Sequence, residues 1–243
     1  MVKKRRENER QNPIRRAGFQ EPLESAAHDI GRGAETIPGH DASLGERQER
    51  IRIERRRLKE WAEEEGKLKG KLPIEHTRGG EHTVWVDVTK GRVIKATRPD
   101  TNRGFGIAYG SHDQGATPSE YLDRLAAHNR IFGDDIRLDR VVVLSPEAVS
   151  IVTSQPLIQG RDATQEEIDG LMREKEFKRL STGTYYHREL GLLIHDMLPK
   201  NVKVSEHDGI IHPIDPVIQR ATPEFAEYLR LNPIHGSPGS EPV

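Results

Sequence analysis

The sequence predicts an α+β protein with largely antiparallel sheets, and three observations support this prediction. Segments that alternate apolar and polar residues come in neighbouring pairs joined by short turns, which is typical of antiparallel strands. Their order along the chain is a hairpin, a helix, two strands, a second helix and a strand-rich segment, rather than a regular strand–helix alternation. Only 33% of the 243 residues are hydrophobic, but they are concentrated in these segments, so one ordinary domain with polar extensions is expected.

The bulk composition excludes several classes of protein. The net charge of −1 gives no general attraction to nucleic acid or to a membrane surface. The absence of cysteine rules out disulfides and thiolate metal sites. No run of 18 apolar residues is present, and the basic start of the chain is not followed by the apolar stretch of a secretory signal. We therefore expect a soluble, cytoplasmic protein with no membrane partner.

The two ends of the chain are expected to lie outside the globular domain. Residues 1–45 are polar and lack apolar periodicity, which predicts a disordered arm. Seven basic and two acidic residues in 1–20 give this arm a local charge of +5, suited to nucleic acid or an acidic partner, although a solvated tail is the simpler explanation. Residues 46–70 predict a charged helix with a narrow apolar stripe that acts as a lid or bridges to a partner. Residues 229–243 predict a disordered tail.

The globular part is predicted over 72–228. "HTVWVDV" and "RVIKAT" predict a hairpin, which a long Gly- and Asp-rich loop separates from the first helix. That helix begins with Thr117 as N-cap and Glu120 in a capping-box position. The other predicted elements are strands at 139–144 and 148–158, a helix at 164–180, two strands in "GTYYHRELGLLIHD", a hairpin from "NVKV" to "IIHPID", and a short helix in "PEFAEYLRL".

Polar side chains converge where the last of these strands end. "HDMLPKN" places Asp196 five residues before Asn201, and the following hairpin returns the chain to Asp215. A carboxylate and an amide oxygen are suitable ligands for Mg²⁺, which takes its other ligands from water and substrate phosphates. Asp196, one loop away, is positioned to accept a proton from an attacking hydroxyl. Asp-x-x-x-x-Asn followed by a second Asp is the arrangement of kinase active sites.

Further motifs occur in the order that such a site requires. They are "GRVIKAT" with Lys95, "TPSEYLDRLAAHNRIFGDDI" with Glu120, "SQPLIQG", "HDMLPKN" and "PIDPVI". With these motifs the chain resembles the compact serine/threonine/tyrosine kinase domains found in polyvalent proteins of phages and mobile elements. The resemblance extends from about "GGEHTVWVD" to "HPIDPVIQ", roughly two thirds of the chain.

The resemblance implies a reduced, two-lobed protein-kinase-like fold, with an antiparallel N-lobe at about 72–155 and a small C-lobe at about 156–228. It implies an ATP- and Mg-dependent phosphotransferase whose acceptor is unknown. The implied roles are Asp196 as the catalytic Asp, Lys95 and Glu120 paired at the nucleotide phosphates, Asn201 and Asp215 at the metal, and glycine backbone (Gly79, Gly80) and hinge backbone (Gln155, Leu157) at the nucleotide.

Some features depart from the common kinase pattern and leave alternatives open. Asp196 follows His195 without an intervening Arg, and Asp215 is followed by Pro-Val instead of Phe-Gly. Only 28 residues follow Asp215, which is too few for a full activation loop and a large helical lobe. One alternative is a nucleotide-binding pseudokinase that serves as an interaction module. Another is a nucleic-acid-associated accessory protein that uses the basic arm.

Overall fold

The computed structural model describes residues 22–32, 44–72, 77–78, 80–98, 105–107, 115–145 and 148–232. Within these residues the chain forms five α-helices: α1 Pro22–Gly31, α2 Leu44–Glu64, α3 Pro118–Phe132, α4 Gln165–Glu174 and α5 Pro223–Leu231. The strands are β1 Thr77–Arg78, β2 His82–Asp87, β3 Arg92–Thr97, β4 Arg137–Ser145, β5 Ala148–Pro156, β6 Gly160–Asp162, β7 Lys178–Ser181, β8 Thr184–His187, β9 Leu192–His195, β10 Val202–Ser205, β11 Ile211–Pro213 and β12 Val217–Arg220. All the described strand pairings are antiparallel, as predicted.

A five-stranded sheet with the order β1-β2-β3-β5-β4 forms the first half of the fold. The predicted hairpin is its β2–β3 pair, in which Val84 lies opposite Lys95. β3 also pairs with β5, where Lys95 lies opposite Thr153. Lys95 is therefore on an interior strand whose backbone is held on both sides, and this fixes the root of its side chain.

Helices α1, α2 and α3 pack together against β4 of this sheet. α3 begins and ends as predicted, with the capping box of Thr117 and Glu120 at one end and Gly133, in a left-handed conformation at φ 69°, at the other. The helix predicted in 46–70 is also present, but α2 buries Ile51 and Leu58 in the common core. It is therefore part of the domain and packs on its neighbouring helices and on β4.

The expectation of a disordered arm over 1–45 is wrong for residues 22–31, which form α1. Leu23, Ala26, Ala27 and Ile30 are buried, and their spacing of three and four residues is that of one helix face. This short apolar pattern in a polar segment was the signal that could have identified the helix. Residues 1–20 and 233–243 lie outside the described residues, and so does most of the arm around α1.

The second half of the fold contains two smaller sheets, with strand orders β12-β9-β8-β7 and β11-β10-β6. α4 packs Ile168 and Met172 into the core of this half. The helix predicted over 164–180 ends at Glu174, since Glu176 takes a left-handed backbone at φ 63°. This reversal places Phe177 in the core and lets β7 pair with β8.

No helix among the described residues is both long and apolar enough to cross a lipid bilayer.

Candidate functional site

Lys95 points from β3 to the segment that connects β11 and β12. Its side chain is mostly buried, and its Nζ donates to the backbone carbonyl of Ile214 at 2.8 Å and to Asp215 Oδ1 at 3.1 Å. Two predicted site residues that are 120 positions apart in the sequence thus form an ion pair. A buried ammonium needs such partners, because desolvation without compensation is costly.

Asp215 is half exposed, with side-chain exposure of 50%, and it faces solvent on the side away from Lys95. Desolvation acts to raise the pKa of this carboxyl, but the positive charges of Lys95 and Arg124 outweigh it and hold the pKa below its ordinary value. Asp215 is therefore a carboxylate at neutral pH, with one oxygen on Lys95. This is the state in which a carboxyl group binds a divalent cation.

Asp196 and Asn201 form a compact loop at the end of β9. Asp196 has a left-handed backbone at φ 59°, and its carbonyl accepts hydrogen bonds from Asn201 Nδ2 at 2.9 Å and from the Leu198 backbone N–H at 2.8 Å. A 3₁₀ turn at Pro199–Asn201 completes the loop. Because Asn201 uses its amide N–H₂ internally, its Oδ1 is the atom left for a ligand.

The β9–β12 pair brings this loop and Asp215 to the same end of a sheet. His195 lies opposite Val217 in this antiparallel pair. Asp196 follows His195 and Asp215 precedes Val217, so both aspartates lie at the same end of the sheet. The Ile214 backbone N–H also donates to the Asn201 carbonyl at 2.8 Å. Lys95, Asp196, Asn201 and Asp215 are therefore brought together as the sequence predicted, with Ile214 as the backbone link between them.

Glu120 is not paired with Lys95, and this part of the predicted site is corrected. Its carboxylate accepts from Arg47 Nη2 at 2.6 Å and from the Thr117 backbone N–H at 2.9 Å. Arg47 is only 2% exposed and also donates to the Gly115 carbonyl. Burial acts to raise the pKa of Glu120, but the Arg47 charge outweighs it and keeps the pKa low. Glu120 fastens α3 to α2 instead of contacting the lysine.

The face of α3 that is directed to Lys95 carries Tyr121 and Arg124, which the sequence analysis did not single out. Tyr121 is buried and its hydroxyl lies 3.0 Å from His82 Nε2, while Arg124 Nη2 donates to Glu81 at 2.8 Å. A cavity of about 10 Å³, room for one water molecule, separates these groups from the Lys95–Asp215 pair. Tyr121 and Arg124 lie among the apolar residues of α3, so periodicity alone would predict Tyr121 to be an ordinary core residue.

The residues predicted to contact the nucleotide through their backbone lie in different surroundings. Gly80 is exposed next to β2, and a side chain there would meet no atom within 4 Å, whereas Gly79 lies outside the described residues. The Leu157 backbone N–H, predicted as a hinge donor, instead donates to the Gly91 carbonyl at 2.9 Å. Gln155 is buried, and its side-chain Nε2 donates to the Ile214 carbonyl at 3.1 Å.

A metal ion at this site would have few ligands from the protein. The described residues contain no group of three or more His, Cys, Asp or Glu side chains that would hold an ion by itself. The free oxygen of Asp215 and Oδ1 of Asn201 are both hard oxygen donors, which fits Mg²⁺ that keeps waters and shares substrate phosphates. The residues present therefore fit a cation that enters together with a phosphorylated ligand.

An interior-strand lysine paired with an aspartate, beside an Asp-x-x-x-x-Asn loop on an antiparallel α+β fold, is the arrangement of a kinase-like site. The comparison with family models agrees with this class. The chain belongs to the serine/threonine/tyrosine kinases found in polyvalent proteins, whose family model matches residues 52–222, more than half of the chain. Searches of curated proteins and of solved structures find no match.

Proposed function

We propose that this protein is an ATP- and Mg²⁺-dependent phosphotransferase whose nucleotide binds at the Lys95–Asp215 pair. The observation that carries the proposal is this ion pair and its connection, through Ile214, to Asn201. The pocket that Lys95 and Asp215 line has room for only about one water, so the phosphates would lie on the solvent side of Asp215. The family membership supports the general class.

Each side chain has a role that follows from its chemistry. Lys95 would supply a positive charge to the phosphates, and Asp215 and Asn201 would supply oxygen ligands to Mg²⁺. The bound cation would neutralise charge on the phosphates during transfer. Asp196 would hold the acceptor hydroxyl in line and take its proton as the new O–P bond forms and the bond between the γ-phosphorus and the bridging oxygen breaks, so that ADP leaves. The site acts mainly by positioning and electrostatics, because the left-handed Asp196 backbone and the Asn201 hydrogen bond fix the loop in advance.

We further propose two lobes, an N-lobe at 72–155 and a C-lobe at 156–228. Support comes from the separate apolar clusters, one between the helices and the five-stranded sheet and one around α4 and the smaller sheets. The first cluster extends beyond its range through α1 and α2, and the second also takes in Ala127 of α3. The nucleotide would lie where Lys95 of the first lobe meets Asp215 of the second.

One set of contacts favours a second candidate, a nucleotide-binding module without transfer. Lys95 has no carboxylate partner on α3, and the Leu157 N–H is already bonded to the Gly91 carbonyl. Such a protein would bind ATP but form no phosphorylated product.

Thermal unfolding of the full chain with ATP, with and without Mg²⁺, tests the nucleotide site. At 100 times its dissociation constant a ligand adds about 2.7 kcal/mol, which moves the midpoint by a few degrees. The increase should require Mg²⁺ and be lost in Asp215→Ala. Asp208→Ala, which changes an exposed turn aspartate of the β10–β11 hairpin, is the control and should keep it. An unchanged midpoint at millimolar ATP would refute the proposal.

The Asp196→Asn variant separates the two candidates. We expect it to keep the Mg²⁺-ATP stabilisation and to lose at least about a hundredfold in the rate of ADP formation, as expected when a positioned proton acceptor is removed. If wild-type protein binds ATP but forms no ADP above the Asp196→Asn background with any acceptor tried, including the chain itself, the module without transfer is the better description.

A further inference from the structure

The backbone carbonyl of Ile214 receives two side-chain donors from the five-stranded sheet. Lys95 Nζ donates to it at 2.8 Å, and Gln155 Nε2 donates to it at 3.1 Å. A carbonyl oxygen has two lone pairs and accepts both bonds at once. The same atom is thus held by a charged donor and by a neutral one, and these two donors respond differently to an incoming phosphate.

The two donors are neighbours on one face of the sheet. In the β3–β5 pair, Gln155 lies opposite Val93, which is two residues before Lys95 in β3. Residues two apart on a strand point to the same face, so the side chains of Lys95 and Gln155 are diagonal neighbours. Gln155 is only 6% exposed. Its amide is therefore held in place by the strand that carries it and by the packing around it.

Residue 214 connects this sheet to both proposed metal ligands. Its carbonyl belongs to the peptide bond that joins it to Asp215, and its N–H donates to the Asn201 carbonyl at 2.8 Å. The peptide bond is planar and rigid, so a rotation of this carbonyl also moves the backbone N–H of Asp215. The position of the Asp215 carboxylate therefore depends on what holds the Ile214 carbonyl.

The proposed function gives Lys95 a second task. Bonds from an ammonium to phosphate oxygens are charge-assisted at both ends and stronger than a bond to a neutral carbonyl, so Lys95 would turn toward the phosphates when they arrive. Without Gln155 the Ile214 carbonyl would then lose its side-chain donors, and an unsatisfied acceptor is destabilised. The Gln155 amide carries no charge, so it has less reason to leave the carbonyl.

We propose that Gln155 is a positioning residue of this site. Its side chain holds the Ile214 carbonyl, and with it Asp215, in place while Lys95 turns to the phosphates. Gln155 would act on Mg²⁺ through Asp215 and would not itself contact the nucleotide. Its catalytic meaning rests on the proposed function, whereas the hydrogen bond to Ile214 is a contact of the free protein.

A double-mutant cycle of urea unfolding tests the shared carbonyl without any nucleotide. Gln155→Met keeps the length of the side chain and removes its donor, and Lys95→Met removes the other donor. Because each donor satisfies the carbonyl when the other is missing, the unfolding constant of the double variant should exceed the product of the two single effects at least about threefold. Val149→Ala is the control and should combine additively with Lys95→Met, since this buried valine is about 13 Å along β5 from the residue opposite Lys95.

A titration with Mg²⁺ at fixed ATP, followed by thermal unfolding, measures the consequence for the site. Gln155→Met should raise the half-saturating Mg²⁺ concentration about fivefold, the effect of about one neutral hydrogen bond. Val149→Ala also removes buried apolar contacts and lowers the unfolding midpoint, but it should keep the wild-type Mg²⁺ requirement. A purely structural contribution of Gln155 would lower the midpoint in the same way and leave the Mg²⁺ requirement unchanged.

The two measurements separate failure of the positioning role from failure of the proposed function. Synergy in the cycle together with a raised Mg²⁺ requirement supports the positioning role. Additive effects of Gln155→Met and Lys95→Met would overturn it whether or not ATP binds, and so would synergy with an unchanged Mg²⁺ requirement. Synergy in a chain whose wild type is not stabilised by Mg²⁺-ATP would place the failure in the proposed function, and the role of Gln155 at the metal would fall with it.

Discussion

At the scale of single residues, the backbone of Asp196 sets a requirement that is independent of its carboxylate. Its φ of 59° lies in the left-handed region, which costs most L-residues roughly 1–2 kcal/mol and which Asp and Asn tolerate best. The Asn201 side chain stabilises this conformation through its hydrogen bond to the Asp196 carbonyl. An aspartate at position 196 therefore suits both the left-handed backbone of the loop and the proposed acceptance of a proton.

This requirement predicts different stabilities for two variants at Asp196. Asp196→Asn should unfold at nearly the wild-type urea concentration, whereas Asp196→Ala should lose about 1 kcal/mol because alanine is strained at this φ. Chemical denaturation of both variants measures the difference. As a control, Glu176→Gly, at the other described non-glycine residue with positive φ, should increase stability. Equal stability of the Ala and Asn variants would contradict the argument.

Because His82 is buried, we predict that the stability of the folded protein depends on pH. Burial lowers the pKa of His82 to about 4 in the folded protein, against an ordinary value of 6.5. Between these values the unfolded chain binds a proton that the folded chain does not, so stability is complete above pH 6.5 and falls as the pH drops toward 4. The loss is on the order of 3 kcal/mol for this shift.

Urea unfolding of wild type and His82→Gln between pH 7 and 4.5 measures this contribution. Burial lowers the pKa of His195 as well, so the wild-type slope contains more than one histidine. The difference between the two proteins isolates His82. Between pH 7 and 4.5 the His82→Gln variant should lose less free energy of unfolding than the wild type, although it is the less stable protein at pH 7. Parallel curves for the two proteins would show that His82 does not titrate in this way.

The sequence predicted which candidate residues lie together where their order along the chain was sufficient evidence. Lys95, Asp196, Asn201 and Asp215 lie on or between strands whose pairing follows from local alternation, and the structure brings them together. Glu120 was assigned a partner incorrectly because its real one, Arg47, is 73 residues away and belongs to a helix expected to be peripheral. Ion pairs between distant segments depend on packing, which a local pattern does not encode.

At the scale of elements, α3 connects the site to the helical layer. Tyr121 and Arg124 face β2 and β3, whereas Glu120 is directed to α2. The capping box orders the first turn of this helix, and Arg47 fixes its start in space. Glu120 thus acts on the fold, and its effect on the nucleotide should be small.

Replacement of Glu120 by Gln tests this assignment. We expect Glu120→Gln to lose about 1–3 kcal/mol of stability, because Arg47 would remain buried without a charged partner. Its Mg²⁺-ATP dissociation constant should stay within about twofold of the wild-type value, while Lys95→Met should raise the constant at least about tenfold. If Glu120→Gln weakened ATP binding as much as Lys95→Met did, a pairing of Glu120 with Lys95 in the bound state would be indicated.

The element boundaries that were missed have local causes. The helix predicted to reach residue 180 ends at Glu174 because Phe177 gains more by entering the core than the segment gains as helix. β12 was not predicted because it is only four residues long. α1 carries just four buried residues in a polar segment. Short elements are stabilised mainly by tertiary packing. They also contain too few residues for a clear apolar periodicity, so the sequence pattern predicts them least well.

At the scale of the whole molecule, the N-terminal helices belong to the core even though the family model begins at residue 52, inside α2. α1 packs on α3, and Leu23 and Ile30 contribute to the same apolar cluster as Tyr121. Burial of one such aliphatic side chain contributes roughly 1.5–3 kcal/mol. α1 therefore supports the helix whose inner face lies next to Lys95.

Two truncations test this role and the nucleic-acid hypothesis for the basic arm together. Removal of residues 1–20 should leave thermal stability and Mg²⁺-ATP binding unchanged. If the arm binds nucleic acid, the same truncation should abolish a steeply salt-dependent affinity for RNA or DNA. Removal of residues 1–43, which also deletes α1, should cost about 4 kcal/mol or more, since Leu23 and Ile30 are both lost from the core.

The Ile30→Ala variant gives the same test without a truncation and should lose about 2–5 kcal/mol, as expected for a fully buried side chain. Ile210→Ala, at an exposed isoleucine of the β10–β11 turn, is the control and should change stability by less than about 0.5 kcal/mol. Because α1 holds α3 in place, Ile30→Ala should also weaken Mg²⁺-ATP binding at temperatures near its midpoint. A chain lacking 1–43 that is as stable as the full chain would show that the domain begins with α2.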